Sequence, residues 1–139
     1  MNSILRNVFA VIAGIIVGSI VNMGFIMLSS SIIPPPTGVN PADMESLKTS
    51  MHLFEPKHFL MPFLAHAIGT LVGAFVAGVI AVKHKLKISL AIGFFFLLGG
   101  ITNIIMLPSP MWFTITDLVL AYLPMAWFGF NLQNRFVKK

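Results

Sequence analysis

The stretch that decides the fold is FLMPFLAHAIGTLVGAFVAGVIAV, residues 59–82, which contains no Asp, Glu, Lys or Arg. About 20 residues in a helix, at 1.5 Å per residue, cross the ~30 Å hydrocarbon core of a bilayer. Because backbone polar groups in lipid must be satisfied within their own segment, a run of this length predicts a transmembrane helix.

Three further apolar runs lie on either side of this stretch. They cover residues 5–28, 88–107 and 111–131. The whole chain of 139 residues is 57% hydrophobic and only 9% charged, which is not typical of a soluble domain. The first run is also longer than the apolar region of a secretory signal peptide. The sequence therefore predicts an all-α, polytopic protein with one membrane domain, residues 1–139, whose four spans form a compact bundle.

The basic residues are distributed unevenly between the segments that connect these spans. Seven of the nine fall on one predicted side: Arg6, Lys83, Lys85, Lys87, Arg135, Lys138 and Lys139. The loop 29–58 carries only Lys48 and Lys57, together with three acidic residues. The positive-inside rule then predicts cytoplasmic N and C termini, with this loop outside. Basic residues placed in this way indicate topology and give no reason to expect a nucleic-acid partner.

The outer loop, residues 29–58, has its own pattern. Asn40 resembles an N-cap and Pro41 suits the first helical position. Apolar residues then recur at spacings of three and four: Met44, Leu47, Met51 and Phe54. This pattern predicts a short amphipathic helix from Pro41 to Glu55 that lies against the bilayer surface or the bundle. It would act as a lid or an interfacial foot, or simply span the distance between two helix ends.

Small residues recur at every fourth position on the first two spans. They are Gly14, Gly18, Ala65, Gly69, Gly73, Ala77 and Ala81. Such stripes let helix backbones approach closely, which predicts tight packing inside the protomer or, alternatively, a homo-oligomer or a contact with another membrane protein.

One Asn, His or Asp lies in the outer half of each span. Counting inward from the outer boundaries places Asn22, His66 and Asp117 at a depth of about 10 Å and Asn103 at about 5 Å. Burying an Asp in lipid is costly, so a contact between His66 and Asp117 is expected. The four residues form either a polar clasp that fixes helix register or a site that holds a proton or a ligand.

Other chemistry has little support in the sequence. His52, Glu55 and His58 could offer zinc ligands, but Pro56 interrupts any shared helical face, so a solvated set of side chains is the favoured interpretation. The chain has no cysteine, which excludes disulfides and thiolate chemistry. Neither a nucleophile elbow nor a phosphate-binding loop is present, so no catalytic residue and no cofactor are assigned.

The order of these parts resembles a loose family of uncharacterised small bacterial membrane proteins with four predicted helices. The shared features are an opening like Val11-Ile12-Ala13-Gly14, the basic turn at 83–87, Pro-Met-Trp at 110–112 and the segment 124–129. The resemblance implies a bacterial cytoplasmic-membrane location and supplies no activity. The small multidrug exporters are disfavoured, because their hallmark is a membrane-embedded Glu in the first span and residues 5–28 contain no acidic residue.

Taken together, the sequence favours a non-enzymatic accessory subunit or interaction module that meets a partner through its outer loop and outer polar cluster. The alternative is a small transporter or channel that uses the four polar residues as an outward-facing site. A membrane enzyme is the third possibility.

The orientation is directly testable with topology reporters. A fusion of alkaline phosphatase after Thr37 should be active and one after Lys139 inactive, because the enzyme folds only outside the cytoplasm. The reverse pattern of activity would overturn the predicted orientation.

Overall fold

The computed structural model describes residues 1–137 of the chain, and all the regular secondary structure in that range is helical. Its helices are α1 (Ser3–Ile32), α2 (Met44–Ser50), α3 (Leu60–Ile80), α4 (Lys85–Met106), α5 (Met111–Leu120) and α6 (Leu123–Phe136). Four helical segments are long and apolar enough to cross a membrane: Ser3–Ile32, Pro56–Ile80, Lys85–Met106 and Met111–Phe136. The predicted helical class and the number of candidate spans are confirmed.

The first helix extends beyond the predicted range at both ends. Asn2 caps its start, since the Asn2 side-chain oxygen accepts a hydrogen bond from the Leu5 N–H at 2.9 Å. At the other end the helix runs through three serines and stops only before Pro34, which disfavours helical geometry in the residue that precedes it.

The closest helix pair is α1 and α3, and glycines make the contact. A Cβ added at Gly14 would lie 2.7 Å from the carbonyl oxygen of Gly73, and one added at Gly18 would lie 2.8 Å from that of Gly69. Both distances are too short for any side chain, so the two backbones touch directly at these points. The small-residue stripes of the two helices thus face each other inside the chain, as the first of the two sequence interpretations predicts.

Helix α3 is the centre of the bundle and also packs against α4 and α6. On the α6 side, a Cβ added at Gly129 would lie 2.5 Å from the carbonyl oxygen of Leu71. Between the helices lies a core of fully buried residues: Ala74, Ala77, Ile92 and Ala126. Small residues therefore lie where α3 meets its neighbours, and they allow these helices to pack closely.

One end of the bundle gathers the chain's N-terminus, the turn between α3 and α4, and the end of α6. Arg6 Nε donates to the carbonyl oxygen of Ile80 at 2.8 Å, where it satisfies the last turn of α3. The Asn7 side chain bonds to both Val82 N–H and the Lys83 carbonyl, each at 3.1 Å. We call this the basic end, defined by Arg6, Lys83, Lys85, Lys87 and Arg135. The opposite end, which carries residues 33–59, is the loop end.

The fourth span is not one continuous helix, which corrects the prediction for residues 111–131. It breaks between α5 and α6, where Tyr122 has φ −117° and ψ −83°. Pro124 explains the break, because proline has no N–H to donate to the carbonyl four residues earlier and its ring clashes with that carbonyl. The span also continues to Phe136, beyond the predicted end.

The helix in the loop is shorter than predicted and begins later. Its N-cap is Asp43, whose carboxylate accepts hydrogen bonds from the N–H groups of Glu45 and Ser46, both at 3.3 Å. Asn40 instead accepts from the Ala42 N–H at 3.0 Å and forms a turn ahead of the helix. The helix stops at Ser50, and two short 3₁₀ turns over 51–53 and 56–59 lead into α3.

The glycine contact predicts a sharp difference between two substitutions in the same helix. Gly14→Ala should destabilise the protein by about 1–3 kcal/mol, because the new methyl group overlaps the α3 backbone. Gly24→Ala should be neutral or stabilise it by up to about 1 kcal/mol, because nothing lies within 4 Å of a Cβ there. The free energy of unfolding of each variant, measured in lipid nanodiscs, tests both expectations. Equal stabilities for the two variants would contradict the packing.

Candidate functional site

A cavity of about 530 Å³ occupies the loop end of the bundle. Four helices line it: α1, α3, α4 and α5. Much of the rest of its lining comes from the segment between α1 and α3. Cavities of roughly 300–1,000 Å³ with apolar walls and a few polar groups are typical of small-molecule sites.

The polar residues form the floor of this cavity. On each of the four helices, the lining residue farthest from the loop end is the polar one: Asn22 on α1, His66 on α3, Asn103 on α4 and Asp117 on α5. The structure thus brings all four predicted site residues around one space. Asn22 lies just beyond the glycine contact, since a Cβ added at Gly69 would lie 3.0 Å from the Asn22 Cβ.

The contact between His66 and Asp117 that the sequence predicts is present. His66 Nδ1 lies 2.8 Å from Oδ1 and 3.0 Å from Oδ2 of Asp117. The Asp117 side chain is only 3% exposed, whereas that of His66 is 17% exposed. The carboxylate is therefore the more buried partner of the pair, and the imidazole is the more exposed one.

A third side chain completes this group. The Tyr122 hydroxyl donates to Asp117 Oδ2 at 3.0 Å. The Tyr122 ring also stacks on the His66 ring, with centroids 5.7 Å apart and an interplanar angle of 25°. Asp117 therefore accepts hydrogen bonds from both His66 and Tyr122, as a buried carboxylate requires.

The second nitrogen of His66 has a different environment. Among residues 1–137, no hydrogen-bond partner of Nε2 is found, and no buried side-chain nitrogen or oxygen lacks a partner. The His66 side chain lines the cavity and is 17% exposed, and Nε2 lies on the side of the ring away from Asp117. With its Nδ1 proton donated to the carboxylate, a neutral His66 offers Nε2 as an acceptor.

Tyr122 is the residue that sequence reasoning misses. In an unbroken helix a residue five positions after Asp117 points about 140° away from it. The break at Pro124 turns Tyr122 back toward the carboxylate, and Gly100 leaves room for its ring, since a Cβ there would lie 2.6 Å from Tyr122 Cζ. The signal in the sequence was the proline two positions after the chain's only tyrosine.

The segment between α1 and α3 covers the cavity. All four residues of the predicted apolar stripe line it: Met44, Leu47, Met51 and Phe54. Phe59 fixes the end of this segment to the bundle, because it is 6% exposed and its ring lies 4.8 Å from that of Phe113 and 5.5 Å from that of Trp112. The stripe thus faces the bundle, and the segment has the position of a lid.

The weak metal candidates of the loop do not form a site. Within residues 1–137, no three His, Asp or Glu side chains are grouped so that they could hold a metal ion. His58 is used locally, since its Nδ1 accepts a hydrogen bond from the Glu55 N–H at 2.8 Å. Of His52, Glu55 and His58, only His58 lines the cavity.

Comparisons of the chain with protein-family models, with curated proteins and with solved structures find no match. The family resemblance drawn from the sequence therefore stays a prediction.

Proposed function

We propose that this chain is an integral protein of the bacterial cytoplasmic membrane, with both termini cytoplasmic, that works as a small transporter. Its outward-facing cavity binds a small solute and exchanges it for a proton at His66. The supporting observation is the cavity floor, to which each of the four candidate spans contributes one polar side chain. A polar residue inside a span costs free energy, and four that surround one space favour a solute pathway over four unrelated contacts.

The discontinuous fourth span gives independent support. Broken helices in membranes are tolerated where the freed backbone is buried in protein or lines a cavity, and transporters commonly place their binding sites at such breaks. Here the break directly follows the cavity floor, and Tyr122 from the break contacts Asp117.

The His66–Asp117 pair supplies suitable chemistry for a proton. When a proton from the cavity reaches Nε2, the imidazole becomes a cation whose charge the adjacent carboxylate balances. When the proton leaves, the pair keeps one negative charge. A clasp that only fixed helix register would not need a histidine with its second nitrogen accessible from the cavity.

A second candidate, the accessory or interaction subunit, is favoured by α1. Only Ala10, Gly14 and Gly18 of this 30-residue helix are buried. The rest of its surface is available to lipid or to a partner helix. In this interpretation the cavity is a one-sided pocket, and no solute crosses the protein.

Cysteine labelling separates these two functions, and the chain has no native cysteine to interfere. Asn22→Cys at the floor should react with a membrane-impermeant methanethiosulfonate from the loop side in intact cells. If the protein alternates access, Asn22→Cys should react from the basic side too, in inverted vesicles.

The matched control is Ser30→Cys on the same helix, two turns nearer the loop end, which also lines the cavity. It should react from the loop side only, since it lies outside the floor. Reaction of Asn22→Cys from the loop side alone would refute transport and favour the accessory subunit.

A further inference from the structure

The fixed charge around the cavity is negative only. Among its lining residues the ionisable ones are Asp117, His66 and His58, with no Lys, Arg or Glu. While His66 is neutral, the floor carries the negative charge of Asp117 without a fixed cation to balance it. An anionic solute would meet no compensating charge there, and leaving a charge unbalanced in a poorly solvated site is costly.

His66 adds a hydrogen-bond acceptor to this negative charge. His66 Nε2 is an acceptor while its Nδ1 proton is donated to Asp117. Asn22 and Asn103 line the same floor, and each has an amide oxygen that can accept as well as an NH₂ group that can donate. An acceptor nitrogen next to a negative charge suits an ammonium group, which has three donors and no acceptor.

The walls above the floor are mostly apolar, with Ser29, Ser30, Ser109 and His58 as their polar members. The apolar members include Ile26, Met27, Ile104, Leu107 and Phe113, and the lid adds its four apolar side chains. A methionine-rich and aromatic lining adapts to alkyl chains of different shape. A ligand that matches both parts has a cationic donor at one end and an apolar body at the other.

We propose that the solute is a lipophilic primary amine, bound as its ammonium ion with the nitrogen at His66 and the alkyl body under the lid. This inference rests on the proposed function and names the chemical class of its solute. The ammonium and a proton compete for one site, because protonation turns Nε2 from an acceptor into a donor and cancels the negative charge of the floor. One bound proton therefore replaces one bound ammonium, which keeps the charge of the site constant.

The groups that face His66 make the pH dependence specific. They are Asp117 from α5 and Tyr122 from the break, with His58 of the lid segment on the same cavity. Amine binding should weaken between neutral and acid pH, because a protonated His66 no longer offers Nε2 as an acceptor. An alkylamine stays protonated throughout, as lysine does.

Four probes of equal chain length test the head group in nanodiscs: octylamine, octyltrimethylammonium, 1-octanol and octanoate. Calorimetry with the full chain should give an octylamine affinity at least about tenfold above that of octanoate. The affinity of octyltrimethylammonium, which has the positive charge but no hydrogen-bond donors, should lie between those of octylamine and octanoate. Asp117→Asn should remove most of the preference for octylamine.

Two further variants keep the test decisive if Asp117→Asn does not fold. Asn103→Leu removes one acceptor at an exposed position and should weaken octylamine about threefold to tenfold. Ala42→Trp narrows the cavity that Ala42 lines and should weaken the binding of all four probes. The control is Ala91→Trp on the exposed face of α4, which should leave the binding of all four unchanged.

The outcomes distinguish the two proposals. If octanoate or octanol binds as well as octylamine, or if binding is unchanged across this pH range, the amine inference is wrong while a small-solute site stands. If the affinity of every probe is the same for the wild type and for Ala42→Trp, both the amine inference and the solute-binding function are refuted.

Discussion

The direct backbone contact between α1 and α3 is the constraint on which the rest of the structure depends. Gly14 faces Gly73 and Gly18 faces Gly69 at separations that leave no room for a side chain. Two straight helices that touch at one level must diverge away from it if they cross at an angle. On α1 the cavity begins at Asn22, the next step of four after Gly18, and the segment 33–59 covers it at the loop end. The close packing of α1 against α3 therefore ends where the lining of the cavity begins.

The break in the fourth span has a local cause, Pro124, and it changes which side chains meet at the cavity floor. Pro124 interrupts the helix, and Tyr122 then reaches back to the carboxylate that α5 delivers. The buried Asp117 is thus satisfied by His66 from the centre of the bundle and by Tyr122 from its own span. This arrangement explains how a carboxylate that is 3% exposed is accommodated among apolar helices, and why the imidazole beside it keeps one nitrogen for the cavity.

Much of this arrangement could be predicted from the sequence, for identifiable reasons. Helical rise is fixed, so counting residues placed Asn22, His66 and Asp117 at one level, and the contact of the last two followed from the cost of a lone carboxylate. The apolar stripe of the loop was visible because its spacing is periodic. The position of Tyr122 was not predictable by periodicity, since it depends on a break in the helix and on space left by Gly100 of another helix. Asn40 and Asp43 are both good caps, and local spacing did not decide between them.

The central claim is that a histidine paired with a buried carboxylate faces a water-accessible cavity. Solid-state NMR of ¹⁵N-histidine, ¹³C-aspartate protein in lipid bilayers tests it in one sample. The account predicts that neutral His66 carries its proton on Nδ1, shows short-range polarisation transfer from Nδ1 to the Asp117 carboxyl carbon, and exchanges magnetisation between Nε2 and water. A His66 that carries its proton on Nε2, with no transfer to Asp117 and no contact with water, would contradict the account.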